Sequence, residues 1–375
     1  MSIRAMLGRI AAVFVKEWRQ MRRDRLTFAT MVGVPVIQLI MFGYAVNATP
    51  KHLPTAVVVQ DSAVAADDVR SILETTTYFK VVRVSPDEAQ ARRLLTTGKV
   101  DFVVRIPPNF MRDLNNGARP HVFVDADGAD PMAIASPLAA LSAVPAAMAK
   151  EDPSGQFNND VPPFDVVVHR LYNPDGLTVI NIVPGLIGLV LTQTMVLITA
   201  LAITRETERG TFEGLLGMGL RPVEIMLGKM LPYVAVGYAQ LVLVLVAARF
   251  LFHVPMLGSY LGLTGASTLF ILANLAVGFA ISTLCRSQFQ AMQATFFFFL
   301  PSVMLTGFMF PFQGMPRWAQ WIGEALPNTH FLRIARGVML KGNSLADVGG
   351  DLWALAALTI AACALAMLTY RRTLD

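Results

Sequence analysis

The sequence predicts an α-helical polytopic membrane protein with six transmembrane helices and an extracytoplasmic α/β domain inserted between the first and second. Composition is the first observation behind this. Of 375 residues, 54% are hydrophobic and 15% charged, with mean hydropathy +0.52, whereas soluble chains carry about 25% charged residues. Second, six stretches each reach the roughly 20 apolar residues that a bilayer-crossing helix needs. Third, Lys and Arg gather in alternate connections, the pattern of cytoplasmic loops. The net charge of +5 and pI near 9.4 therefore speak for orientation in a membrane rather than for nucleic acid.

Taken in order, residues 1–25 hold Arg4, Arg9, Lys16, Arg19, Arg22, Arg23 and Arg25. This stretch is long and amphipathic, without a short apolar core and small-residue cleavage site, so it reads as a cytoplasmic connecting helix and not a cleaved leader. The spans are Leu26–Val46, Leu177–Thr204, Met230–Ala248, Leu261–Leu284, Gln288–Phe310 and Leu352–Tyr370, and none contains Asp, Glu, Lys or Arg. Polar interruptions such as Pro35, Asn181, Pro184, Gln193, Gln240, Asn274 and Pro301 read first as packing features. Proline is common in membrane helices, and amides bridge neighbours there. With six spans, the basic N-terminal stretch, the 205–229 connection, Arg286, and Arg371 with Arg372 all fall on one side. That side is cytoplasmic, with both termini inside. Arg249, at the outer end of the third span, can snorkel.

The insertion, residues 47–176, reads as strands alternating with helices, which predicts a mixed or parallel sheet with helices packed on it. Strands are expected from Ala56, Phe79, Asp101, His121 and Phe164. Helices are expected at Val64–Thr75, at Pro86–Thr97 with Pro in its first turn, at Asn109–Asn116 with an Asn cap, and at Pro131–Lys150. Glu151–Pro163, rich in Pro, Asn and Asp, is expected to be a disordered tip. Residues 311–350 form the other outer segment. Trp318, Trp321, Ile322 and Ala325 repeat at helical spacing with Pro327 ending the helix, and Phe331, Ile334, Ala335 and Val338 repeat it again. Two short helices at the membrane boundary and a plain amphipathic loop both fit this segment.

The chain carries few motifs of known chemistry. Gly98–Lys99 and Gly228–Lys229 lack the earlier glycine of a phosphate-binding loop, and the motifs HExxH, GxSxG and CxxC are absent. Asp125, Asp127 and Asp130 beside Gly128 read as a solvated turn, since a calcium loop needs a later glutamate. His169 and Arg170 read as surface residues. Cys285 and Cys363 form no disulfide framework. Spans without ionisable groups offer no proton relay, so work across the bilayer needs an outside source of energy.

The 205–229 connection is the one polar, patterned surface offered to the cytoplasm besides the N-terminal stretch. Glu206, Glu208, Arg209 and Glu213 crowd it, and Phe212, Leu215 and Leu216 fall at i, i+3, i+4. Such a helix binds lipid headgroups or docks into a soluble partner, and the residues alone leave both open.

Four stretches carry a resemblance across the whole chain: KEWRQMRRDRLTF from Lys16, RETERGTFEGLL from Arg205, RPVEIMLGKMLPY from Arg221 and LPNTHFLRIARGVMLKG from Leu326. With them the chain resembles the membrane subunit of ABC-2 type exporters, the type V transporter permeases, and within these the multidrug-efflux branch with a large periplasmic domain. The resemblance implies that Glu206, Arg209, Gly210, Thr211, Phe212, Glu213, Leu215 and Leu216 form a coupling helix seated in a separate ATP-binding subunit. It implies that Lys16, Glu17, Arg23 and Asp24 belong to the connecting helix on the same partner. Phe331, Arg333, Arg336 and Gly337 would belong to outer re-entrant helices covering the exit. One departure is Gly219, where many relatives have proline; glycine still permits a sharp turn.

The same resemblance implies a bacterial inner-membrane location and no cofactor in this chain, with ATP and Mg held by the partner. It also implies a second permease, identical or homologous, contact with membrane lipids, and no nucleic-acid partner. A periplasmic membrane-fusion adaptor would suit the large insertion. The expected function is export of drugs or other hydrophobic or amphiphilic compounds by a chain that is not itself an enzyme. Phe296–Phe299 and Met304 suit such a cargo, and suit lipid-facing packing equally. Export of polysaccharide or lipid-linked glycan is the main alternative. A membrane sensor with an outer ligand-binding domain is another, although it expects a long cytoplasmic output segment.

Overall fold

This computed structural model describes residues 50–60, 71, 73–150, 162–208 and 222–372, with the backbone alone at 147–150, 222–229 and 370–372. The expected first span, the connecting helix, most of the Val64–Thr75 helix, most of the Glu151–Pro163 tip and residues 209–221 lie outside the described residues.

The α/β domain is a five-stranded sheet of β1 (Leu53–Val59), β2 (Phe79–Ser85), β3 (Phe102–Ile106), β4 (His121–Asp127) and β5 (Asp165–Leu171), in the order β2-β1-β3-β4-β5. All neighbours run parallel except β3 and β4. The register aligns Val57 with Val104, Val104 with Val124 and Val124 with Val168. Because side chains alternate along a strand, odd and even positions enter different cores. Leu53, Val57, Phe102, Val104 and Ile106 pack on one face with Ile134 and Leu138. Ala56, Val58 and Val103 pack on the other with Ala91 and Leu95. The sheet is thus covered on both faces: by helix α1 (Glu88–Thr96) on the second, and by α2 (Phe110–Asn115) and α3 (Pro131–Lys150) on the first.

Two local expectations need correction. Helix α1 is capped by Asp87, whose carboxylate accepts from the N–H groups of Ala89 and Gln90, so Pro86 lies before the helix and not in its first turn. Asn109 does precede α2, but at φ 60° and without a side-chain cap bond. Following two prolines, the chain turns there through the left-handed region that Asn tolerates.

The helical part comprises α4 (Thr178–Glu208), α5 (Pro222–Phe250), α6 (Tyr260–Leu284), α7 (Gln288–Met304), α8 (Arg317–Glu324), α9 (Pro327–Lys341) and α10 (Gly349–Arg372). Among the described residues, four helices are long and apolar enough to cross a membrane: Thr178–Glu208, Met230–Phe250, Tyr260–Leu284 and Gly349–Thr369. The stretch expected to span from Gln288 to Phe310 does not stay helical. Its helix closes at Met304, where the Leu305 N–H donates to Pro301 O, and Gly307 turns the chain at φ +83°. Seventeen residues reach about 25 Å at 1.5 Å per residue, so this stretch crosses a hydrocarbon core of about 30 Å only with the non-helical residues that follow. Pro327 is also reassigned: it opens α9 at its first turn instead of ending α8.

Helix α6 lies at the centre, against α4, α5, α9 and α10. Its Phe270 and Phe279 meet Ile187, Leu191 and Met195 of α4 and Phe331 and Ile334 of α9 in one core. Small residues set the spacing, as in other helix pairs of membranes. A Cβ at Gly188 would collide with Asn328 Oδ1 and press on Phe331 at 3.3 Å, and one at Gly185 would collide with the ring of Phe308. Gly188→Val is expected to push α9 off α4 and to destabilise the protein by about 1–3 kcal/mol. Thermal melting in detergent, with a parallel Gly349→Ala control at an open position, checks this.

Candidate functional site

Helix α9 gathers the contacts that join the two parts of the molecule. Its apolar positions Phe331, Ile334, Ala335 and Val338 are buried in the bundle, where Phe331 stacks on Phe270 with ring centroids 4.2 Å apart. The remaining positions turn cations toward the α/β domain. Lys341 Nζ is paired with Asp127 and reaches the Leu95 carbonyl at 3.5 Å. Arg336 Nη1 meets Asp130 Oδ2 at 3.4 Å. Just past the helix, which Gly342 closes at φ +69°, Asn343 Nδ2 donates to Thr96 O at 3.0 Å. Lys341 also lies over the Tyr172 ring at 5.5 Å, and the Tyr172 hydroxyl is 3.1 Å from Thr96 Oγ1. The lysine and aspartate side chains are only 9% and 12% exposed, so the pair is largely desolvated and stands or falls as a unit.

The acids around Gly128 are therefore not a solvated turn. Asp127 and Asp130 pair with α9, and buried Asp125 pairs with Arg105 at 3.1 Å and His169 at 3.3 Å. Gly128 has no room for a side chain: a Cβ would press on the carbonyls of Leu171 and Asn173.

A second cluster ties α9 to α8 and α10. His330 Nδ1 is 2.9 Å from Asp351 Oδ1, and its Nε2 is 3.0 Å from the Glu324 carbonyl and 3.4 Å from Glu324 Oε2. Both ring nitrogens face acceptors, an arrangement only the doubly protonated imidazolium satisfies. Burial alone lowers its pKa, but the hydrogen bonds with Asp351 and the Glu324 carbonyl and the charges of both carboxylates outweigh that and raise it. Arg333 bonds Glu324 Oε1 at 2.6 Å and Asp351 at 3.3 Å, with its guanidinium 4.6 Å over the Phe312 ring.

Between the clusters opens a cavity of about 840 Å³, lined by Asp101, Asp127, Asp130, Arg333, Arg336 and Phe312 among others. The four residues expected at an outer gate, Phe331, Arg333, Arg336 and Gly337, share one helix but not one task. Phe331 is core, Arg333 holds the second cluster, Arg336 holds the domain contact, and Gly337 lets Asn343 and Val348 approach to 3.1 Å from where a Cβ would stand. Asp101, Asp127, Asp130, Lys341 and Asn343 were not legible as site residues. The closest signal was the run of alternate acids on β4, which without the fold reads as surface. Among the described residues, no group of His, Cys, Asp and Glu is placed to hold a metal ion.

At the other end of α4, Glu206 stands in the last turn, and the Glu208 carboxylate accepts from the Gln288 N–H at 2.7 Å and from Gln288 Nε2 at 2.6 Å. This caps α7, whose Ser287 also accepts from Gln290 N. Arg209, Gly210, Thr211, Phe212, Glu213, Leu215 and Leu216 lie outside the described residues, as do Lys16, Glu17, Arg23 and Asp24.

An apolar helical bundle joined by largely desolvated ion pairs to an α/β domain defines a multi-pass membrane protein of two joined parts. The chain belongs to the ABC-2 family of transporter proteins, whose profile matches residues 25–368. It is similar to the probable multidrug ABC transporter permease YbhS of Escherichia coli K12, 29% identical over 340 residues, or 89% of each chain. It is likewise similar to the probable multidrug ABC transporter permease YbhR of the same strain, 27% identical over 369 residues, covering 98% of this chain and 99% of that one. A third relative is the inner membrane transport permease YhhJ of that strain, 26% identical over 377 residues and 96% of each chain. The chain is thus a permease subunit of an ABC transporter, which implies an ABC ATP-binding partner and a dimeric permease.

Proposed function

We propose that this permease exports hydrophobic or amphiphilic compounds, drugs among them, through a dimer driven by ATP bound with Mg on a separate subunit. In this reading it lies in a bacterial inner membrane with six spans and cytoplasmic termini, and the α/β domain stands in the periplasm, where it can meet an adaptor. Glu206, Arg209, Gly210, Thr211, Phe212, Glu213, Leu215 and Leu216 seat in the ATPase. Lys16, Glu17, Arg23 and Asp24 brace the same contact. Phe331, Arg333, Arg336 and Gly337 work at the outer end.

The observation that carries this reading is the family match over residues 25–368, together with the course of α4. That helix has 31 residues and so runs about 46 Å at 1.5 Å per residue. It begins beside the outer domain and ends at the coupling connection. On the way Gly185 and Gly188 lie against Phe308, before α9, and against Asn328 and Leu332 in its first two turns. A push on the coupling segment therefore moves a rod already in contact with the clamp helix, and Glu208 carries α7 with it. ATP shifts the outer end only as far as it binds one arrangement better than the other.

The test is reconstitution with the ATPase subunit in lipid vesicles, following ATP-dependent movement of an amphiphilic dye alongside phosphate release. Transport is expected with the native chain. Glu213→Ala is expected to cut transport about tenfold or more while ATP hydrolysis continues, since a lost charged contact of 1.5–3 kcal/mol corresponds to that range. Dye movement that ignores ATP, or full coupling in Glu213→Ala, would overturn the proposal.

A further inference from the structure

One carboxyl in the domain clamp has no cation of its own. Asp101 is held by the sheet on both sides: its N–H donates to Pro54 O at 2.8 Å, and its carbonyl accepts from Asp127 N at 2.9 Å. Its side chain therefore points where the backbone puts it, into the boundary shared by Asp127, Lys341 and Asp130. Asp101 Oδ2 is buried without a hydrogen-bond partner among the described residues. Three carboxylates thus meet two cations. Lys341 is taken by Asp127, and Arg336 meets Asp130 through Nη1 alone, its Nε and Nη2 buried without partners among the described residues; neither cation bonds Asp101.

The other charged groups around the same cavity do not change this balance. Lys51 and His52 before β1, Lys80 on β2 and Lys99 before Asp101 are exposed to solvent. Arg317 on α8 is exposed as well. Arg333 is engaged by Glu324 and Asp351, and Asp347 belongs to the loop before α10, where Ser344 holds it. Asp101 as a whole is partly exposed to the cavity, but its Oδ2 is shielded from solvent, and a third negative charge placed there without a partner is the costly case.

We infer that Asp101 is a proton-binding site of the clamp, protonated while the α/β domain and helix α9 are joined and ionised when they part. Burial, then repulsion from Asp127, pushes its carboxyl up from 3.8 to about 7; Lys341 opposes in part and Asp130 adds to the rise. The sign follows. Parting relieves the burial but leaves Asp127 and Asp130 beside Asp101, so the parted value lies between 3.8 and about 7. From there up to about 7 the joined form holds one more proton, so acid tightens the clamp. The gain is about tenfold per pH unit below 7, fully present below the parted value and lost as pH rises through 7. The site goes beyond the transport reading. It rests on that reading only for the consequence that periplasmic pH sets how firmly the outer domain grips α9.

The experiment uses the full chain in lipid nanodiscs, with Cys285 and Cys363 replaced by Ser and spin labels on cysteines at Arg112 and Leu345, both exposed. Distances between the labels are measured from about pH 5.5 to about pH 8.5. One narrow distance is expected in acid, with a second, broader population growing in as pH passes 7. Asp101→Asn, which imitates the protonated acid, should keep the narrow distance throughout. Asp127→Asn removes the repulsion and leaves Lys341 to attract Asp101, so the midpoint should fall, while the lost Lys341–Asp127 pair weakens the narrow distance overall. A distribution indifferent to pH overturns the inference, as does a midpoint that neither variant moves. Since no nucleotide or cargo is present, failure here leaves the transport experiment standing on its own.

Discussion

Replacing Lys341 with Met is expected to loosen the α/β domain from helix α9 by about a hundredfold. The substitution keeps most of the side-chain volume but leaves Asp127 buried without its cation, and breaking a buried pair on one side costs about 3 kcal/mol or more. The spans should survive, because their core of Phe270, Phe279, Leu191 and Ile334 does not involve Lys341. Hydrogen exchange of the full chain in nanodiscs checks this. Amides around Thr96–Asp101 and Gly128–Ala133 should lose protection while those of α6 keep theirs. The double variant Lys341→Met, Asp127→Asn should recover a large part of the loss, since the penalty lies in the orphaned charge more than in the missing contact. Equal loss in the single and double variants would show that the ion pair does not hold the clamp.

The second large effect is expected at His330. Its pKa is raised in the folded protein, so its contribution is fully present below the ordinary histidine value and is lost as pH rises through the folded one. Above that point a neutral ring must turn a lone pair toward either Asp351 or the Glu324 carbonyl, and Arg333 alone faces two carboxylates. His330→Gln should remove this pH dependence and free the start of α9 at all pH values, by about 2 kcal/mol for a lost charge-assisted hydrogen bond in a site only 7% exposed. Proteolysis or hydrogen exchange at the α8–α9 junction, followed across the histidine range, reads this out. Protection that rises with pH would contradict the imidazolium assignment. The two clusters lean the same way: His330 pins α9 to α8 and α10, while Asp101 and its neighbours pin it to the sheet, and acid favours both.

How much of this was legible beforehand varies with the kind of residue. The alternation of Val57, Val104 and Val124 marked strands, and the Phe331, Ile334, Ala335, Val338 spacing marked the buried face of α9, because both periods come from the geometry of a single element. The end of α7 was less legible. Its apolar run continues to Phe310, but Pro301, Gly307 and the contact of Phe308 with Gly185 end the helix early, and hydropathy does not register a turn made of apolar residues. Asp127 and Asp130 were misread as solvated. Alternate acids beside a glycine do mark a turn, but whether water or a cation covers them depends on a helix far away in the chain.

Taken alone, the sequence determined the membrane class, the long apolar helices, the inserted strand-and-helix unit and the family, since hydropathy, period and motif are properties of adjacent residues. The tertiary structure alone decided that α9 joins the two parts, which of its cations face the α/β domain, and which carboxyl there is left without a partner among the described residues. Lys341 and Asp127 lie 214 positions apart, and Arg336 and Asp130 lie 206 apart. A charge has no readable role until folding sets what stands opposite it and how much water is left between them.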